Sequence, residues 1–282
     1  MPGRIRRIIH GDLRFLVGGG LIIIMIFVAI FASFLAPYEP TKTNLKNRLL
    51  KPGYEHLLGT DQYGRDVASR IIWGTRISLM VGVLVVILSL ILGCAFGTAA
   101  GYFGGAIDAA IMRLIEILLA FPAFLLALAL VATLGSKLST VIIAIAIAYF
   151  PRQALVMRGV ILTVREGMYV EAARALGAGH WWIIVKHVLP NAFPPMIVIG
   201  TISAATAITA EASLSFLGLG VQPPTPTWGA VISDSREVIR NAPWISVSVG
   251  RVIMLTVVSL NLFGDALRDI LDPRMKGSMK NV

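Results

Sequence analysis

The feature that most constrains this chain is the run Val17 to Ala36, twenty residues without one charged side chain. As a helix rising 1.5 Å per residue it would be about 30 Å long, the thickness of a bilayer's hydrocarbon layer. Comparable apolar runs recur along the 282 residues. Hydrophobic residues make up 56% of the chain and charged residues 14%, against about 25% charged in ordinary soluble domains. Too few polar side chains exist to coat a water-facing surface, so a soluble enzyme, a disordered chain and a disulfide-stapled secreted scaffold are all excluded. Cys94 stands alone in an apolar run and reads as a small hydrophobe. The chain reads as an all-α, polytopic membrane protein.

Six spans are expected. The first is 17–36; the basic Arg4, Arg6, Arg7 and Arg14 before it resemble a signal peptide, but the run is too long for one and lacks a good cleavage site. The second lies within the charge-free stretch Ile77 to Ile107, after an outer loop over 37–76. The third covers roughly Asp108 to Leu134, with a kink at Pro122. The fourth runs from Leu138 towards Arg158, the fifth from Ala192 to Leu214 and the sixth from Trp244 to Ala266. Residues 77–266 thus form a transmembrane core between a cytoplasmic segment 1–16 and a tail 267–282. With the N-terminus inside, the inner segments hold 13 Lys and Arg and the outer ones 10, and the basic N-terminus favours that orientation. The net charge of +10 therefore belongs to membrane flanks, and nucleic-acid binding, which gathers charge on a soluble face, is not expected.

The polar segment 159–191 inside this core has its own pattern. Tyr169, Ala172, Ala173 and Leu176 fall on one helical face, with Glu171 and Arg174 three apart and able to pair. Gly177 and Gly179 stop that helix. A second stripe, Trp181, Ile184, Val185 and Val188, begins at once, and Pro190 is expected to end it. The segment reads as helix, glycine turn, helix: a cytoplasmic elbow fixed between two spans.

Glu171-Ala172-Ala173, three residues, Gly177, and then Leu189-Pro190 resembles the EAA signature of importer permeases in the ATP-binding cassette (ABC) superfamily. The resemblance implies a type I importer fold and a coupling helix that docks in a groove on an ATPase subunit. His187 departs from the apolar residue usual two positions before Leu-Pro, a departure that resembles the peptide-transport subset. A second stretch, Leu58-Gly59-Thr60-Asp61-Gln62-Tyr63-Gly64-Arg65-Asp66, running on through Arg70 to Leu79, resembles the C-type subunit of the dipeptide/oligopeptide permease family. So do Ser213 to Gly220, Pro223-Pro224 with Thr227-Trp228-Gly229, and the tail around Asp265 to Asp269 and Leu271 to Arg274. Chemically, Asp61 with Arg65 and Asp66 with Arg70 can form i,i+4 pairs if that stretch is helical; a solvated, self-paired loop is the plainer alternative. The proline-rich run Gln222 to Trp228 favours a stiff extended backbone.

Glu211 and Arg251 interrupt the fifth and sixth spans at similar depth. Ionisable groups there are costly and point to function, so a pair lining a translocation path is one expectation and snorkelling or structural pairing the other. Arg113 and Glu116 can pair locally at the inner end of the third span. No G-x-x-x-x-G-K-[ST] phosphate cradle, metal-binding histidine spacing or nucleophile elbow occurs. The family resemblance accordingly implies a non-catalytic subunit of a plasma-membrane importer with both termini cytoplasmic. It implies a second homologous permease, two ABC ATPases that bind the ATP and Mg, an extracytoplasmic binding protein, surrounding lipid and a peptide cargo. Nickel, glutathione or another small solute is the alternative cargo within the family. A secondary transporter or channel that needs no ATPase is the alternative outside it.

Overall fold

The computed structural model of the protein describes residues 12–271. Helix α1 covers Leu13–Ile30, capped by the Asp12 carboxylate on the Arg14 amide, and a short α2 covers Ala32–Leu35. The first span is thus Leu13–Leu35 with a break at Phe31, slightly earlier than the expected 17–36. Most of α1 is exposed apolar surface, Ile23, Phe27 and Ile30 among it, as lipid-facing helices require. Its inner side meets a later helix: at Gly18 an added Cβ would fall 2.8 Å from the Ser259 carbonyl oxygen.

Helix α3, Val67–Phe103, has 37 residues, about 55 Å of continuous helix. It starts ten residues before the expected second span. The reason is Asp66, which caps the helix by accepting hydrogen bonds from the Ser69 amide and hydroxyl, both at 2.7 Å. Gly104, at φ 68°, ends it. Helices α4, Gly105–Leu119, and α5, Ala123–Leu134, bend by 84° at the Pro122 break, so the expected kink is a sharp break between two helices. Helix α6 is Leu138–Val164, with Pro151 inside it, and the elbow helix α7 is Met168–Ala175.

Helix α8 runs unbroken from His180 to Phe216. Here Pro190 does not end a helix, and Pro194 and Pro195 lie within the same one. Proline lacks the N–H that the preceding turn needs, and two local adjustments answer that deficit near Pro190. Residues Ile184–Val188 open into a π turn, in which the Leu189 amide donates to the Ile184 carbonyl. The Asn191 side-chain amide donates to the His187 carbonyl at 2.6 Å. Helix α9, Trp228–Ser235, begins where the proline-rich run ends, and the Pro223-Pro224 bond before it is cis within a turn. Helix α10 is Pro243–Leu271. Five of these helices are long and apolar enough to cross a membrane, or six spans if α4 and α5 together make one.

The centre of the bundle is the pairing of α3 with α6. At Gly93, Gly97 and Gly101 an added Cβ would fall 2.6–2.8 Å from Gln153, Ala154, Met157 or Ile161, so the two backbones are in van der Waals contact. Small residues permit such approach in membranes, where apolar burial alone does not drive helices together. Helix α8 packs between α3 and α10, with Gly82 against Ile208 and Gly264 against Thr201, and α1 closes over α10 through Phe15 and Phe263, whose ring centroids are 5.1 Å apart. Helix α9 lies across one end of α3.

Candidate functional site

The residues singled out by sequence fall at opposite ends of α3. At its start, the segment 59–66 is a turn stabilised by a single bridge between Thr60 and Asp66, not a helix. Gly64 has φ 70°, and a Cβ there would sit 1.8 Å from the Asn44 carbonyl oxygen. Gly59, at φ 73°, is walled by the Leu50 carbonyl and the Trp244 indole. The Thr60 hydroxyl donates to the Asn47 carbonyl and accepts from the Leu50 amide at 2.8 Å.

Asp61 is 2% exposed. One of its oxygens accepts the amides of Tyr63 and Arg65, and the other accepts Arg65 Nε at 2.6 Å and Arg70 Nη1 at 2.7 Å. The remaining arms of both arginines converge on Asp234 in α9, at 2.7 and 2.8 Å. Two carboxylates and two guanidiniums thus make a closed, electrically neutral box, which is what allows four charges to be largely buried. The i,i+4 pair Asp61–Arg65 is present. Asp66 does not pair with Arg70, because it is occupied as the α3 cap and by the His56 ring at 2.9 Å. The stretch is therefore not a solvated loop. Asp234 lies 164 residues after Arg70, and no local spacing could have indicated it. Trp228, fully buried, completes the join by donating from its indole to the Ile71 carbonyl at 3.1 Å.

At the other end of α3, α7 terminates where expected. Gly177 takes φ 78°, its amide donates to the Arg174 carbonyl and that of Ala178 to the Ala173 carbonyl, a left-handed helix stop. The apolar stripe read from the sequence divides between the two sides of the helix. Val170 and Ala173 pack inward with Tyr102, Met157, Ile161 and Ile183, whereas Tyr169, Ala172 and Leu176 are exposed, Leu176 by 89%. Glu171 and Arg174 do not pair. Glu171 is exposed and Arg174 lies over the Tyr102 ring, 5.6 Å from its centroid. The Tyr102 hydroxyl meets His180 Nδ1 at 3.1 Å, tying the last turn of α3 to the first turn of α8. His187 sits between Trp182 and Tyr169, at 4.9 and 5.9 Å between ring centroids, a packing role that its sequence position did not reveal. Leu189 is half-buried and Pro190 exposed. The elbow is thus held on its inner side and presents Met168, Glu171, Leu176 and Trp181 outward.

Beside the elbow, Arg158 and Asp108 form two hydrogen bonds of 2.6 Å that fasten α6 to α4, a pair fifty residues apart that sequence reading missed. Arg113 and Glu116 make the expected local contact, exposed and at 3.3 Å. Glu211 and Arg251 are not brought together. Glu211 is 1% exposed and accepts from Ser215 and Thr227, while Arg251 is exposed and makes no ion pair among the described residues. The expected path-lining pair is replaced by a carboxylate tied to its own helix and to the start of α9.

A bundle of long apolar helices with a small polar elbow protruding at one end is the architecture of a multi-pass membrane permease. The chain belongs to the family of binding-protein-dependent transport system inner membrane components, whose pattern matches residues 93–277, and residues 14–52 match the N-terminal transmembrane domain of oligopeptide transport permease C. It is thus a transmembrane permease subunit of an ABC importer. It is 47% identical over 259 residues to the dipeptide transport system permease protein DppC of Alkalihalophilus pseudofirmus, covering 91% of this chain and 85% of that one. A putative peptide transport system permease of Brucella suis is 43% identical, covering 93% and 88%. The glutathione transport system permease protein GsiD of Shigella flexneri is 45% identical, covering 91% and 85%. Among solved structures, the inward-facing MetNI methionine ABC transporter matches with a TM-score of 0.58 at 18% identity, over 71% of this chain and 96% of that one. That likeness concerns the fold.

Proposed function

We propose that this permease moves di- and oligopeptides inward across the plasma membrane, coupled to ATP hydrolysis in separate chains. The observation that carries the reading is the elbow: a short helix fastened to the ends of α3 and α8, whose outward side offers exposed apolar groups and one acid for a partner to grip. Monomeric proteins seldom leave such side chains clustered at a protruding corner without a use. The peptide cargo rests on the relatives at 43% and 47% identity that are named for peptide and dipeptide transport. Glutathione, the cargo named for the relative at 45% identity, is the second reading.

In this scheme the elbow faces the cytoplasm, as do both termini, and two ATPase subunits bind the nucleotide and Mg below, one per permease half. A second, homologous permease completes the path, and an extracytoplasmic binding protein delivers the peptide. Closure of the ATPases carries the elbows with it, and each elbow moves its spans as a rigid body, exchanging outward for inward access. Reconstitution of the assembled importer in vesicles is the test. ATP-dependent accumulation of peptides that stops when any one partner is omitted is expected. Gradient-driven flux through this chain alone, or an assembled complex in which no other chain touches residues 168–177, overturns the proposal.

A further inference from the structure

A cavity of about 800 Å³ opens between α6, α8 and the C-terminal end of α10, within the range of volumes that hold small ligands. Its polar lining includes Tyr149, Arg152, Gln153, Asn191, Ser203 and Arg268. No acidic side chain lines it among the described residues. Arg152 lies 14 residues from the start of α6 and 12 from its end, about 21 and 18 Å along the axis, and so near the middle of the span. An arginine at that depth is costly unless it faces water or a partner. Arg152 is exposed and makes no ion pair among the described residues. Next to it, Gln153 is 2% exposed and donates to Ser89 and Ser203 at 3.0 and 3.1 Å, while its Oε1 has no hydrogen-bond partner.

We propose that this cavity is a transient substrate site in which Arg152 engages the C-terminal carboxylate of a passing peptide. Arg268, nearer the elbow end, is the next cation along the route. This assignment rests on the peptide-importer reading and adds the chemical group recognised. A guanidinium matches a carboxylate with two parallel hydrogen bonds, and a cavity of one charge sign, walled by apolar side chains, draws in the opposite sign. A linear peptide with a free C-terminus supplies that carboxylate.

The test uses the complete importer in vesicles of zwitterionic lipid, with saturating binding protein. The probes are alanine peptides of two to five residues and their C-terminal amides. In the unaltered importer the acids should be taken up faster than the amides. Arg152→Gln should lower uptake of the acids by about tenfold or more, the scale of a charge-assisted hydrogen-bonded pair, and leave the amides unchanged. Arg152→Lys should restore part of the difference. Equal uptake of acids and amides by the unaltered importer, an equal loss for both with Arg152→Gln, or no loss, overturns the assignment. So does loss of the second permease on co-purification of Arg152→Gln, which would make the cavity an assembly surface. A defect that emerges only when anionic phospholipid is added assigns Arg152 to lipid phosphate instead. Failure of the unaltered importer to move any peptide removes the peptide reading itself, and is distinct from all of these.

Discussion

The two ends of α3 are built on opposite plans. At its start, Asp61, Arg65, Arg70 and Asp234 satisfy one another within the chain, and Gly64 is sealed against Asn44. At its finish, the elbow rests on Tyr102 and leaves Glu171, Leu176 and Trp181 outside. The first end is complete in itself, and the second has a contact surface still to be filled. Charges at the first end are paired within the chain, whereas the acid at the second is left exposed. The EAA-like and Gly-Thr-Asp-like stretches look similar as sequence signatures, yet they serve these different ends.

The contrast can be broken or sharpened by substitution, taken in order of expected loss of stability. Asp61→Ala should be worst: it leaves two buried guanidiniums short of a partner, a loss of about 3–5 kcal/mol, and should appear as lost folded protein after detergent extraction. Gly64→Ala should cost at least about 1–3 kcal/mol from its left-handed backbone alone, with the clash at Asn44 added, and should lower the melting temperature. Gly177→Ala has nearly the same φ, but nothing lies within 4 Å of an added Cβ. It should therefore cost only about 1–2 kcal/mol, while shifting the elbow enough to reduce uptake. Equal melting temperatures for the two glycine variants would remove the distinction between a sealed end and an open one.

Asp12 provides a weaker, pH-dependent case. Its hydrogen bonds to the Arg14 side chain hold its carboxyl below the ordinary Asp value of 3.8, and Arg14 also reaches Asp269 in α10 at 2.7 Å. A lowered native value means that the contribution is present above pH 3.8 and is lost as pH falls through the lowered value. Asp12→Asn should abolish that acid-side dependence with little change at neutral pH, as measured by melting across a pH series. Glu171→Lys should have the smallest effect on melting, within about 0.5 kcal/mol, since the side chain is exposed. ATP hydrolysis should nonetheless separate from peptide uptake in the assembled importer. A variant that transports normally would count against the elbow as the point of grip.

Much of this arrangement was legible before any coordinates. Long charge-free runs mark the spans, and Gly177 marks the elbow turn, because both signals are local. The misreadings have a shared physical origin. For Asp61 to Arg70, local pairs and a solvated loop both stay open in the sequence because the further partner, Asp234, is remote. Pro190 reads as a helix breaker because the π turn and the Asn191 amide beside it are supplied by the fold. On α7 the apolar stripe Tyr169, Ala172, Ala173 and Leu176 divides between an exposed and a buried side, since apolar periodicity cannot distinguish a side chain left exposed from one packed in the chain's own core. Glu211 was matched with Arg251 by depth alone, and depth does not determine which way a side chain points.

The glycine contacts of α3 with α6 carry one more consequence. Where glycines let one backbone sit directly against the Cβ atoms and backbone of the other, little compliant layer remains to absorb displacement, so shear of one helix past the other meets steric collision. The pair behaves as one stiff beam spanning the bilayer. A tilt imposed at the elbow would then emerge, undiminished and reversed in direction, at the ionic box on the opposite face.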